Sequence, residues 1–139
     1  MSNSANYSVF EIGSYANLGE VEVNNRKGRV MVNAANIGAT GCIISFNSTP
    51  AGGFSPMVHS HKTHEEVYIV ISGNGVFYVD GDEFPIKEGT VIRVAPAGKH
   101  ALKAGDETLV HMCIQVPENA PLAISGDGIR HDDKPSWFE

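Results

Sequence analysis

Short runs rich in Val, Ile, Phe and Tyr recur along the chain, separated by glycine- and proline-containing turns. "GRVMVNAA" and "TGCIISFNS" come first. Then follow "EEVYIVIS", "VFYVD", "FPIK", "VIRVAP", "HALKA" and "TLVHMCIQV", joined by "GNG", "GDE", "EGT", "AGK" and "GDE". Strand, turn and strand at such close spacing predict an all-β sandwich or barrel. No segment carries a helical apolar stripe of three turns. Val67–Ser72, Val91–Val94 and Leu109–Val116 are apolar on both parities, as in strands covered on both faces. The sheet is therefore expected to close on itself or to pack on a second sheet or subunit. Gly73–Asn74–Gly75 and Asp80–Gly81 read as tight hairpin turns with positive φ at glycine.

The 139 residues suit a single domain with one core, and no linker, repeat or low-complexity block divides them. The strand core is expected over about 40–116, between polar or turn-rich N- and C-terminal arms. Trp137 and Phe138 are expected to dock on the barrel or on a partner chain. A net charge of −6 argues against a nucleic-acid binder, which needs a basic patch to meet phosphates. No apolar run reaches the roughly 18 residues of a membrane helix. The N-terminus lacks the basic-then-apolar order of a signal peptide, which fits a cytoplasmic location. Cys42 and Cys113 each sit in an apolar run and read as buried free thiols.

The chemistry concentrates in "MVHSHKTHEE", which holds three of the six histidines beside paired glutamates. Side chains alternate along a strand, so His59 and His61 share a face about 6.6 Å apart. Two imidazoles at that spacing can converge on one ion. A bend near Lys62–Thr63 would return a glutamate opposite them. On the next strand Glu66, Tyr68, Val70 and Ser72 form the more polar row, which suits a lumen. Glu65, Val67, Ile69 and Ile71 form an apolar outer row, so Glu66 is preferred over Glu65. Two histidines and a carboxylate are plausible ligands for divalent Fe, Mn, Ni, Co or Zn. His64 shares parity with Glu66 but reads as a solvated turn residue, and His131 as exposed.

A second cluster is "EGTVIRVAPAGKHALKA". If Lys103 faces solvent, His100 faces inward and supplies a fourth ligand. His111 competes for that place, on a row with Leu109, Cys113 and Gln115 that can also face the lumen.

These residues resemble the two motifs of the cupins. Gly53, "FSPMV", His59, Ser60, His61, "KTHE", Glu66, "VYIVIS", Gly73 matches the first motif at every position and selects Glu66 again. Gly89, Pro96, Gly98 and His100 follow the order of the second motif with altered spacings, and Ala104 stands where it has asparagine. The resemblance implies an antiparallel double-stranded β-helix, a jelly-roll barrel, with a metal near one mouth held by His59, His61, Glu66 and His100. It also implies frequent homodimers.

Two functions fit. One is a metal-dependent enzyme acting on a small anionic or enolisable molecule, of dioxygenase, isomerase or lyase type, with Tyr68 as a hydrogen-bonding partner or general acid. The other is a non-catalytic small-molecule or metal-sensing module. The row Val67, Ile69 and Ile71 is expected at a homodimer interface, because a monomer would leave it exposed. Light scattering at micromolar concentration checks this: a mass near that of one 14.9 kDa chain counts against the dimer.

Overall fold

The alternation of the strand runs becomes, in space, two facing five-stranded antiparallel sheets. The computed structural model describes residues 2–3 and 6–138. Ten strands build the sheets. They are β1 (Arg29–Val32), β2 (Ile43–Thr49), β3 (Val58–His61), β4 (His64–Ser72) and β5 (Asn74–Val79). The others are β6 (Asp82–Lys87), β7 (Val91–Val94), β8 (His100–Ala104), β9 (Leu109–Pro117) and β10 (Gly128–His131). One sheet has the order β6-β5-β8-β3-β10 and the other β7-β4-β9-β2-β1. The fold is the all-β antiparallel jelly roll that the sequence predicts.

The register decides what enters the lumen. Met31, Ser45, Cys113, Tyr68 and Ile92 lie side by side across one sheet. So do Ile43, Gln115, Glu66 and Val94. Phe77 and Leu102 pair on the facing sheet. Between the sheets Tyr68, Val70, Phe77, Ile92, Leu102 and Leu109 form the main core. Burying such side chains contributes about 1.5–3 kcal/mol each, which is what holds two sheets about 10 Å apart.

The outer faces are less uniform than expected. Val91 is 63% exposed and Arg93 is exposed, so Val91–Val94 is a half-solvated edge strand rather than one covered on both faces. Edge position explains it: only β4 neighbours this strand, and nothing lies over it. Ile71 packs with Phe46 against a small cluster of Leu18, Val30 and Val110. Leu18 belongs to a 3₁₀ helix, Tyr15–Glu20, in the stretch that reads as a polar arm. Trp137 packs on Val58, Tyr78 and Ala101, and Phe138 lies 5.8 Å from Phe54, so both dock on their own barrel. Cys113 is buried as expected, whereas Cys42 is only half-buried.

The two predicted turns differ. Asp80 and Gly81 both have positive φ and join β5 to β6 in a two-residue hairpin. Gly73–Asn74–Gly75 is not a hairpin, because β4 and β5 belong to different sheets. It is a corner that carries the chain across the barrel. Gly73 has φ +83°, and a Cβ there would stand 2.0 Å from the Thr108 carbonyl oxygen. At Gly81 (φ +93°) nothing lies within 4 Å of such a Cβ. Gly81→Ala should therefore cost only the left-handed backbone, about 1–2 kcal/mol. Gly73→Ala should cost distinctly more, since a backbone carbonyl must also move. Denaturant melts of the two variants check the order; equal losses contradict the close approach.

Candidate metal centre

The chain makes a bend at Lys62–Thr63 that carries it from β3 in one sheet to β4 in the other. That bend solves the parity problem of the histidine motif. His59 and His61 project from β3, Glu66 returns from β4, and His100 stands beside His59 on β8. Each of these four offers a ligand atom, and all four atoms lie within 4.8 Å of one another. Glu66 Oε1 is the hub: it lies 2.7 Å from His100 Nε2, 2.8 Å from His61 Nε2 and 3.8 Å from His59 Nε2.

These contacts are close but badly directed for hydrogen bonding. Glu66 Oε1 and both ring nitrogens of His61 are buried without a well-formed hydrogen bond among the described residues. Such orphaned atoms are costly unless another partner meets them. Lone pairs that converge on a shared point, rather than on each other, fit a divalent cation. His100 is prepared for that role. Its Nδ1–H donates to the Gly98 carbonyl at 2.9 Å, which leaves the Nε2 lone pair facing the cluster. Three imidazoles and a carboxylate could hold a divalent transition metal.

Burial and neighbouring charge set the protonation states. Burial pushes His59 down to about 4, with His100 adding to the effect. Burial also opposes charge on His61, but the contact with Glu66 and the Asp127 carboxylate outweigh it and raise its pKa. Burial would raise Glu66; the close imidazoles of His100 and His61 reverse this and hold it ionised far below the usual carboxylate range. Tyr68 and Cys113 are both held protonated, first by burial and then by the Glu66 charge. Their O–H and S–H both approach Glu66 Oε2, at 3.3 and 2.9 Å. The Tyr68 hydroxyl also lies 3.1 Å from His100 Nε2.

The other candidates fall outside the cluster. His111 faces the lumen but stacks beside Tyr68 at 5.4 Å rather than joining the four. His64 is 1% exposed, not a solvated turn residue. Its Nδ1 lies 3.0 Å from Gln115 Oε1, and its Nε2 accepts from the Ala123 N–H at 3.1 Å, so neither nitrogen is free. Parity with Glu66 puts it inside, as the alternation of β4 requires. His131 is half-buried rather than exposed, and its Nε2 meets Ser60 Oγ at 2.7 Å.

Asp127 was not singled out by sequence reasoning. It lies in "SGDGIRH", a turn-rich stretch with no local signal. Its Oδ1 accepts from the Thr63 N–H and hydroxyl at 3.0 and 2.7 Å, and its Oδ2 accepts from the His64 N–H at 3.1 Å. The same Oδ2 stands 3.2 Å from His61 Nδ1. Without a well-formed hydrogen bond at that distance, the carboxylate acts on His61 through its charge.

A cavity of about 690 Å³ opens onto His59, Glu66 and Tyr68. A histidine–glutamate cluster able to hold a metal, a protonated phenol and a cavity of small-molecule size now stand together on a jelly-roll frame. The family model described as "Cupin domain" matches residues 46–115. The chain belongs to the cupin family. A cupin protein from Bacteroides fragilis is similar in structure, with a TM-score of 0.69, 29% identity, and coverage of 88% of this chain and 93% of that one. A putative sugar phosphate isomerase from Acidithiobacillus ferrooxidans superposes with a TM-score of 0.57 at 27% identity, over 67% of this cupin and 62% of that chain. An uncharacterized protein of Methanocaldococcus jannaschii is 30% identical over 66 residues, 47% of this cupin. The match spans 53% of that relative's length.

The geometry yields two expectations. His61→Ala should lose most bound metal after chelator treatment and reloading, while Glu66→Gln should weaken binding by removing the ionised hub. Elemental analysis checks this; equal metal in wild type and His61→Ala identifies a polar hydrogen-bonded cluster instead. Acid should also matter. Metal needs neutral imidazole, and the raised pKa of His61 makes this ring gain a proton before His59 does. Affinity should therefore already fall as pH drops through the region above 6.5, with His59 staying neutral to about 4. Metal titrations between pH 5 and 8 read this directly, and a flat profile contradicts it.

Proposed function

We propose that this cupin binds one divalent transition metal through His59, His61, Glu66 and His100 and is a metal-dependent enzyme acting on a small anionic or enolisable molecule. Fe, Mn, Ni, Co and Zn all suit this ligand set. The observation that carries the reading is Glu66 Oε1, buried, ionised and without a well-formed hydrogen bond among three imidazoles at the inner end of an open cavity. A bound ion would supply Lewis acidity or, as iron, oxygen activation.

The protein's own residues provide the rest. Tyr68 stays protonated because burial and the Glu66 charge disfavour phenolate, so it serves as a hydrogen-bond donor or general acid. Cys113 is held as a thiol for the same reasons and is not a nucleophile at neutral pH. The β scaffold fixes the ligands, as rigid elements must where angles matter. The similarity to a putative sugar phosphate isomerase supports an isomerase-type reaction among those that fit. The half-exposed Val67 and Ile69 support a homodimer.

The test is metal analysis of the purified protein, then screens for oxygen uptake and for isomerisation or cleavage of small hydroxy- and keto-acids. Tyr68→Phe should keep its metal and lose about a hundredfold or more in rate, in line with the usual contribution of a general acid. A protein that binds metal and ligand but turns over none of these is a binding module. One without metal overturns the proposal.

A further inference from the structure

The chain carries a net charge of −6, yet the cavity beside the cluster is basic. Arg26, Lys27, Arg29 and Arg130 line it, and Glu66 is the single carboxylate among its described lining residues. Three of these cations are exposed at the rim, and Lys27 already pairs with Glu20 at 3.2 Å. Arg29 differs. It opens β1 and pairs in register with Asn47, which in turn pairs with His111. All three therefore share the inward face. Arg29 is half-buried, and its Nε–H is pinned on Met31 Sδ at 3.2 Å. Among the described residues it pairs with no carboxylate.

A guanidinium taken partly out of water without a counter-ion is an unfinished arrangement. His111 beside it repeats the pattern. It is 6% exposed, and its Nδ1 has no hydrogen-bond partner among the described residues. Burial and then the Arg29 charge keep this imidazole neutral, pushing it down to about 4. A neutral imidazole can donate one N–H, and a guanidinium can donate a parallel pair.

We propose that Arg29, Asn47 and His111 form a carboxylate-binding subsite that orients a small organic acid in the cavity next to the histidine–glutamate cluster. A carboxylate fits better than a phosphate group, because the subsite offers one inward cation to one carboxylate, and a second carboxylate of the same ligand can meet the exposed rim cations Arg26 or Arg130. The planar fork of Arg29 matches two carboxylate oxygens. The inference rests on the metal-centred reading only for what the rest of the ligand meets.

Calorimetric titration of the protein with malonate, malonamide and inorganic phosphate tests it, on chelator-treated and manganese-loaded samples whose metal content is measured in parallel. Malonate should bind both samples, malonamide neither, and phosphate more weakly than malonate. Arg29→Met should weaken malonate at least about tenfold with unchanged metal content, and Arg29→Lys should restore only part of it. His111→Gln should also weaken malonate. Circular dichroism checks that the variants are folded, and the wild-type selectivity decides the matter if one is not. Malonate binding that is absent, indifferent to Arg29, or matched by malonamide or phosphate overturns the subsite. Arg29-dependent malonate binding in a protein that takes no metal leaves the subsite standing and overturns the metal reading instead.

Discussion

A carboxylate held charged inside a barrel is the constraint around which this protein is arranged. Moving Glu66 out of water costs several kcal/mol unless partners replace its hydration. The fold brings three imidazoles to one of its oxygens and a phenol and a thiol to the other. Two protonated groups on one oxygen and badly directed nitrogens on the other give the carboxylate two unlike sides. The side toward His59, His61 and His100 is open to a cation. The side toward Tyr68 and Cys113 is closed and satisfied.

Each surrounding feature serves that asymmetry. Phe77 stacks at 6.0 Å and 10° on the His100 ring and restricts its tilt. The Gly98 carbonyl fixes its tautomer. Tyr68 spans the lumen between Phe77 at 5.1 Å and His111 at 5.4 Å, so the same ring contributes to the core and borders the cavity. Core packing and site geometry are thus one problem, since Phe77 belongs to the core and also stacks on His100.

Much of this was legible from period-two alternation. His-x-His fixed a shared face, and the polar row of β4 chose Glu66 over Glu65, a choice the burial of the two side chains matches. The competition between His100 and His111 was not decidable by parity, since both face inward. Register decides which group they join: His100 pairs with His59, whereas His111 pairs with Asn47 and Val70. The hairpin reading of Gly73–Asn74–Gly75 failed because a glycine-rich corner and a glycine-rich turn look alike locally, and only sheet membership separates them. The burial of Leu18 was hidden in a segment too short to show a period.

Asp127 carries a consequence of its own. The bend that aims His61 is held by a residue 64 positions further along, and β10 then pairs along β3 from Gly128 to His131. The histidine pair is encoded well before the segment that supports it. On a ribosome making the protein from its N-terminus, β3 emerges with one long edge and the Lys62–Thr63 bend uncapped. Both stay so until Asp127 and β10 are made. The candidate site is therefore completed by a closure of high sequence separation.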